Sequence, residues 1–325
     1  MTIRQFIGII AGLVLAVTMA RAEDAHPRQL VITRTASLDV PSFSHFGLPV
    51  PDNDDDLFFH LGDVFTDATI MKLAHSSWEP TLYKLPADIQ HDKYVFYEFA
   101  VTPSGELWIL ANRGPELLAA EFDSHGQMTA KSILDLSLTD VKINDFAALD
   151  NDVLFFAGAT VGKDAGRPFA ALVDGASGKS IRTWHDVFSS AKAGTKGAVP
   201  VHAGNASVGD DGNIYLLNES EVVAINTAGE IVRRVKFVKP GQSLIPFLVR
   251  ASAGYAAVWL RTAPHNDHGF EMSYLVLDLS SGKTMGWYAP PPDLKAPAMS
   301  FSRNNGFEFL VGKNGRLNLT RAELR

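Results

Sequence analysis

Acidic and amide side chains recur at one place in three similar segments of the sequence. The segments are Glu98-Phe99-Ala100, Asp145-Phe146-Ala147 and Asn205-Ala206-Ser207. Two carboxylates and an amide are hard oxygen ligands of the kind that binds Ca²⁺ or Mg²⁺, so Glu98, Asp145 and Asn205 are the predicted metal ligands. The same groups could orient a sugar or activate a water molecule. A third interpretation is structural: they line a water-filled channel or hydrogen-bond to neighbouring backbone.

Two further residues extend this candidate site. His202 lies three residues before Asn205 and is the one catalytic candidate, because an imidazole titrates near neutral pH and can act as a general base. Trp184 borders a long loop and is the tryptophan expected to contact a ligand. The predicted ligand-binding set is therefore Glu98, Asp145, Asn205 and Trp184.

The densest run of charge is Asp52-Asn53-Asp54-Asp55-Asp56. Alternate acids could bind Ca²⁺, but the run lacks the glycine and the terminal Glu of an EF-hand loop. Because Asp and Asn favour tight turns, we predict a solvated hairpin tip here. His265 and His268 lie three apart in an inserted segment without a predicted helix, which favours a mobile polar loop over a metal site.

Several catalytic signatures are absent from the sequence. Gly158 to Lys163 is one residue short of a phosphate-binding loop and lacks its Ser or Thr. There is no Gly-x-Ser-x-Gly elbow, no dinucleotide-binding fingerprint and no cysteine nucleophile. An enzyme with this sequence would use carboxylates, histidine or a bound ion.

The elements that position these residues are short strands. The stretch from Asn205 to Val238 contains four apolar runs separated by turn signals. Each run is too short for a helix and rich in Val, Ile, Leu or Tyr, which predicts four antiparallel strands. One such sheet cannot bury both of its faces, so it requires similar sheets on either side.

A regular interval indicates how many such sheets there are. Gly126, Gly178, Gly229 and Gly282 are separated by 52, 51 and 53 residues, close to the ~40–50 residues of one β-propeller blade. Six units begin near Phe43, Val95, Ile143, Ala203, Ile245 and Ala298. The sixth ends after three strands, and Gln29–Thr35 is predicted to supply the fourth and close the ring. The prediction is an all-β, six-bladed propeller, with seven blades or a β-sandwich as alternatives.

The fourth unit resembles a known repeat. Asp210-Asp211-Gly212-Asn213-Ile214-Tyr215, followed by Val222–Asn226 and Gly229, resembles the NHL-type repeat and the TolB-like six-bladed propellers. Such propellers include hydrolases, lyases and binding scaffolds, so the resemblance implies a fold and not an activity.

The inner-strand acids resemble those of gluconolactonase- and paraoxonase-type propellers, in which acidic and Asn side chains hold a divalent cation. That resemblance implies the same role for Glu98, Asp145 and Asn205. The sequence departs from the pattern at the aligned residues Pro49, Phe247 and Met299, none of which is a good ligand for a hard cation.

The first 22 residues have the features of a secretory signal peptide. Arg4 precedes an uncharged apolar run from Phe6 to Ala20, and Ala20-Arg21-Ala22 is a cleavage site. We therefore expect export to the periplasm or the medium, with residues 23–325 as a single propeller domain. No later segment approaches the ~20 apolar residues of a membrane span.

Charge limits the classes of partner. The net charge is −7, and it becomes −9 when the leader and its two arginines are removed. An acidic surface argues against nucleic acids and anionic membranes as main partners. A closed propeller has no structural need for a partner subunit, so we expect a monomer.

The leading functional prediction is an exported binding or interaction scaffold for a protein or a small molecule. Its ligand site is expected on the face that carries the long loops Thr160–Pro168, Trp184–Val201, Arg261–Met272 and Ala289–Pro297. This interpretation requires no enzyme activity and no cofactor. The alternative is a hydrolase or lyase assisted by Ca²⁺ or Mg²⁺.

Overall fold

The computed structural model describes residues 26–38, 40, 46–62, 69–138, 141–161, 166–184, 206–218, 220–252, 254–262, 271–294, 298–301, 306–313 and 316–324. The predicted signal peptide, His202, Asn205 and most of the long-loop residues lie outside these ranges. Within them, no helix is long and apolar enough to cross a membrane. One short helix, α1 (Ala87–His91), links the first two blades.

Six sheets make up the described part of the chain, and each contains one unit of the repeat. Blade one has β3 (Val50–Pro51), β4 (Leu57–Leu61), β5 (Thr69–Leu73) and β6 (Pro80–Lys84). Blade two has β7 (Val95–Val101), β8 (Leu107–Arg113), β9 (Glu116–Phe122) and β10 (Met128–Ile133). Blade three has β11 (Val141–Leu149), β12 (Val153–Thr160), β13 (Pro168–Asp174) and β14 (Ser180–Trp184).

The remaining three blades follow the same up-and-down order. Blade four has β15 (Ser207–Val208), β16 (Ile214–Asn218), β17 (Glu221–Ile225) and β18 (Ile231–Lys236). Blade five has β19 (Leu244–Ser252), β20 (Tyr255–Thr262), β21 (Met272–Asp278) and β22 (Thr284–Ala289). Blade six has β23 (Ala298–Phe301), β24 (Gly306–Lys313) and β25 (Arg316–Glu323) from the C-terminus, and β2 (Val31–Leu38) from the N-terminus.

The blades form a closed ring. The first strand of each blade contacts the first strand of the next, and β23 of blade six contacts β3 of blade one. The predicted six-bladed propeller is therefore confirmed, and the seven-bladed and sandwich alternatives are wrong. Six clusters of buried apolar residues, one between each pair of neighbouring blades, hold the ring together.

The N-terminal segment closes the ring in a way that differs in detail from the prediction. β2 pairs antiparallel with β25, from Val31 opposite Glu323 to Leu38 opposite Leu317. The preceding β1 (Arg28–Gln29) instead pairs in parallel with β22 as a fifth strand of blade five. Leu30 separates the two strands and is buried in the apolar cluster between blades five and six, which fixes the crossing point.

Candidate functional site

A cavity of about 380 Å³ occupies the central channel of the ring. Its walls come from the inner strands and adjoining residues of blades one to five. The apolar part of the wall includes Leu48, Val50, Phe99, Phe146 and Val208. Among the described residues, the charged ones on the wall are Asp52, Glu98, Asp210 and Arg250. A mostly apolar cavity into which a small number of polar groups point is typical of a small-molecule binding site.

Bulges interrupt three of the inner strands that surround this channel. The pairing with the second strand shifts by one residue at Tyr97 in β7, at Asn144 in β11 and at Phe247 in β19. A bulge inserts one extra residue and re-aims the side chains beyond it. The residues directly after the three bulges are Glu98, Asp145 and Leu248, so the sequence alignment that matched Phe247 with Glu98 was one residue out.

Arg250 is the one strongly basic residue on the wall formed by described residues. It is only 7% exposed. Its Nη1 donates a hydrogen bond to the carbonyl oxygen of Val249 at 3.1 Å, while its buried Nε has no hydrogen-bond partner in the described part of the chain. Burial lowers the pKa of Arg250 to about 10, and the nearby carboxylates of Glu98 and Asp145 partly offset that effect. Arg250 is therefore still charged at neutral pH, and its Nε–H is available to donate a hydrogen bond to a ligand.

Glu98 belongs to blade two, which lies opposite blade five in a ring of six. Its Oε1 accepts a hydrogen bond from the backbone N–H of Phe99 at 3.1 Å. Burial raises the pKa of Glu98, while the Phe99 N–H and the charge of Arg250 lower it. Glu98 and Arg250 both line the cavity, and the positive charge of Arg250 favours the ionised form of Glu98.

Asp145 has a structural contact in the same region. It is 1% exposed, and its Oδ1 accepts a hydrogen bond from the backbone N–H of Ala206 at 3.0 Å. This bond ties β11 of blade three to the start of blade four, which is one of the roles that the sequence left open. The Asp145 carboxylate also raises the pKa of Arg250. The structure thus brings Glu98 and Asp145 together around an arginine.

Trp184 lies elsewhere. It ends β14, the outermost strand of blade three, and packs in the apolar cluster between blades three and four. Gly229, at a φ of +78°, carries the turn beneath it, and a Cβ at that position would overlap the Trp184 ring. The guanidinium of Arg182 lies 5.0 Å from the ring centroid. Trp184 is not among the described residues on the cavity wall, so these contacts give it a packing role between blades.

The acid run of blade one is a folded turn and not a solvated tip. Asp52 is 7% exposed and Asp55 is 5% exposed, so that prediction was wrong for both residues. Asp52 Oδ1 accepts hydrogen bonds from the backbone N–H groups of Asp54 and Asp56, each at 2.9 Å. Lys72 Nζ lies 2.8 Å from Asp56 Oδ2 and supplies the positive charge that a cation would bring.

Among the described residues, no three His, Asp or Glu side chains are grouped to hold a metal ion. Around Glu98 and Asp145 the compensating positive charge comes from Arg250. Asn205 and His202, the other members of the predicted set, lie outside the described residues.

Sequence reasoning missed Arg250, although a signal was present. β19 reads LIPFLVRAS, and an arginine in an otherwise apolar inner strand must meet a partner or a cavity. Asn144 and His60 also line the cavity and were not predicted. Asn144 occupies the bulge of β11, and the residue types around it do not predict where that bulge lies.

The sequence matches no family model, and no curated protein matches it. Solved structures do share its architecture. A gluconolactonase from Xanthomonas campestris is 11% identical, with a TM-score of 0.51 over 92% of this chain and 96% of that one. A luciferin-regenerating enzyme is also 11% identical, with a TM-score of 0.51 over 90% of this chain and 95% of that one. At such identities the likeness shows the propeller fold alone.

Proposed function

We propose that this protein binds a small polar molecule in the central channel of its propeller. The observation that carries the proposal is Arg250, a buried charged side chain on the cavity wall whose Nε has no hydrogen-bond partner among the described residues. An under-partnered guanidinium in the interior is costly, and a ligand that accepts its hydrogen bonds offsets that cost.

The shape of the site favours a small ligand over a protein partner. The cavity of about 380 Å³ lies within a ring of inner strands, and its size suits a metabolite-sized molecule. It extends from Glu98 and Asn144, toward the strand starts, to Asp52 and Asp210 at the turns after the first strands. The proposed ligand site is therefore the channel itself.

A ligand screen with a matched pair of variants tests this proposal. We expect compounds from a metabolite library to raise the melting temperature of the wild type. Ala206→Phe narrows the channel, because Ala206 is a half-buried residue on the cavity wall, and should abolish the shift. Ala176→Phe adds the same ring on an exposed turn and should leave the shift unchanged. Equal shifts in all three proteins, or no shift with any compound, would refute the proposal.

The second candidate function is a hydrolase or lyase assisted by a divalent cation. In support, Glu98 and Asp145 lie on neighbouring inner strands and act on the same side chain, Arg250. In this reading they would bind Ca²⁺ or Mg²⁺ with Asn205, and His202 would move the proton.

Melting curves in EDTA and then in excess Ca²⁺ or Mg²⁺ separate the two functions. A cation bound only to the folded state at 100 times its dissociation constant adds about 2.7 kcal/mol. A rise of that size that disappears in Glu98→Gln would favour the enzyme. The channel-binding proposal expects no cation-dependent rise, because Arg250 already compensates these carboxylates.

Export completes the proposed role. The basic, apolar and small-residue segments of residues 1–22 support a cleaved leader and a periplasmic or extracellular protein. N-terminal sequencing of the protein from its natural source should begin at Glu23. A protein that retains Met1–Ala22 would contradict this part of the proposal.

A further inference from the structure

Opposite charges face each other across the channel from two blades. Arg250 is on β19 of blade five and Glu98 is on β7 of blade two, the opposite member of the ring. They interact through space, since Arg250 donates its hydrogen bond to Val249 and Glu98 accepts its own from Phe99. Both residues line the cavity.

This arrangement disfavours ligands that carry one kind of charge. A simple anion that reached Arg250 would also meet the Glu98 carboxylate, and like charges that are partly desolvated repel strongly. A simple cation that reached Glu98 would meet the guanidinium. A neutral ligand would make weaker hydrogen bonds to both charged groups than a ligand that brings the opposite charge to each.

We infer that the channel binds a zwitterion, a small molecule with one carboxylate and one protonated amine, as in a free amino acid. This inference rests on the proposed function. The carboxylate accepts hydrogen bonds from the planar fork of Arg250, which matches carboxylate geometry, and the ammonium group donates to Glu98. Each end of the ligand thus meets the opposite charge.

The rest of the wall suits such a molecule. Phe99, Phe146 and Val208 provide an apolar surface for the ligand's side chain. Asn144 adds an amide that can both donate and accept hydrogen bonds. The acids at the turn end have other partners: Asp52 binds backbone N–H groups, and Asp210 also has an interaction within the protein.

Titration calorimetry with matched ligands tests the inference. The probes are the twenty standard amino acids, followed by the N-acetyl derivative and the amide of the tightest binder. The N-acetyl form keeps the carboxylate and loses the ammonium group, and the amide does the reverse. We expect each derivative to bind at least about tenfold more weakly than the amino acid, because each leaves one buried charge without its partner.

Two variants test which residue binds the carboxylate and which binds the ammonium group of the ligand. Arg250→Met should weaken the amino acid about tenfold or more and should not weaken the amide. Glu98→Gln should weaken the amino acid and should not weaken the N-acetyl form. Arg234→Met removes an exposed arginine that pairs with Glu221 on blade four and should change neither affinity. If Arg250→Met does not fold, Arg250→Lys keeps the charge, and the Glu98→Gln arm still decides the question.

The outcomes separate this inference from the proposed function. If the N-acetyl form or the amide binds as tightly as the amino acid, the zwitterion is refuted. It is also refuted if no amino acid binds while another small molecule binds in a way that Ala206→Phe abolishes, although the channel then remains a ligand site. If no small molecule binds in the channel, both proposals fail.

Discussion

Arg250 keeps a full positive charge in the interior of the ring because two carboxylates are close to it. Its pKa of about 10 lies far above neutral pH even though burial lowers it. Such a group destabilises the empty protein unless its donors find acceptors. The residue that carries our functional proposal is therefore one that packing alone does not explain.

The through-space attraction between Arg250 and Glu98 predicts a coupled titration. Arg250 lowers the pKa of Glu98, so Arg250→Met should raise it further above the usual range of a glutamate. The measurement is a pH titration of the Glu98 side-chain carboxyl carbon by NMR in both proteins. Arg234→Met, at an exposed site, should leave the titration unchanged. An identical Glu98 titration in wild type and Arg250→Met would show that the two charges do not face each other.

A second buried acid should make stability depend on pH. Glu308 is 1% exposed and accepts hydrogen bonds from Arg321, whose Nη2 also lies 2.7 Å from Nδ1 of His75 in blade one. Burial raises the pKa of Glu308 from 4.5 to about 7, with Arg321 opposing the rise and Asp55 adding to it. Because the folded state holds this proton more tightly, its stabilisation is complete below pH 4.5 and is lost as the pH rises through 7.

Glu308→Gln should remove that pH dependence. The rise in pKa corresponds to a loss of up to about 3 kcal/mol between pH 4.5 and pH 8 in the wild type. Urea unfolding of both proteins at pH 5 and pH 8 measures this loss of stability. Subtracting the change in the variant from the change in the wild type removes the contribution of other acids such as Asp52. If the free energy of unfolding changes equally with pH in the two proteins, Glu308 is ionised over the whole pH range.

At the level of the elements, the turn of blade one owes its shape to a single carboxylate. Asp52 accepts two backbone N–H groups, and it is packed by blade two, where a Cβ on Gly105 would come within 2.8 Å of its Oδ2. Asp52→Ala removes both bonds from a buried site and should destabilise the protein by about 2 kcal/mol. Asp54→Ala changes an exposed neighbour and should have almost no effect. Urea unfolding at pH 8 measures both, and similar losses would contradict this role.

Strands and turns were predictable from local patterns, whereas burial of the turn was not. Apolar runs between Asp, Asn and Gly located nearly every strand. The acid run was predicted to be solvated because the chain segment that packs over it lies about fifty positions away in the sequence. In that contact, the N–H of Asn53 donates a hydrogen bond to the carbonyl oxygen of Pro103 at 3.0 Å. Arg250 was missed for a related reason, since the carboxylates near it, Glu98 and Asp145, come from other blades.

At the level of the whole molecule, the two ends of the chain meet in blade six. Thr35 of β2 lies opposite Thr320 of β25, with their hydroxyl oxygens 3.2 Å apart and 285 positions between them. The repeat interval and the missing last strand made this closure predictable, but not the detour of β1 to blade five. That detour depends on the burial of Leu30 between two blades.

A disulfide between β2 and β25 should stabilise the ring strongly. The chain has no cysteine, so Thr35→Cys with Thr320→Cys offers one possible bridge. Chain entropy predicts up to about 5 kcal/mol for so long a loop, visible as a higher melting temperature in the oxidised than in the reduced protein. Thr35→Cys with Thr129→Cys, on the outer strand of blade two, should form no intramolecular bridge. Failure of the first pair to cross-link would contradict closure by β2.

The most direct test of the central claim is a crystal structure of the wild type grown with a saturating concentration of its tightest-binding small molecule. We predict density for that molecule in the channel, with an acidic group on the Arg250 guanidinium and a donor group on Glu98. Water alone between these two side chains, with the ligand bound elsewhere or absent, would contradict the account.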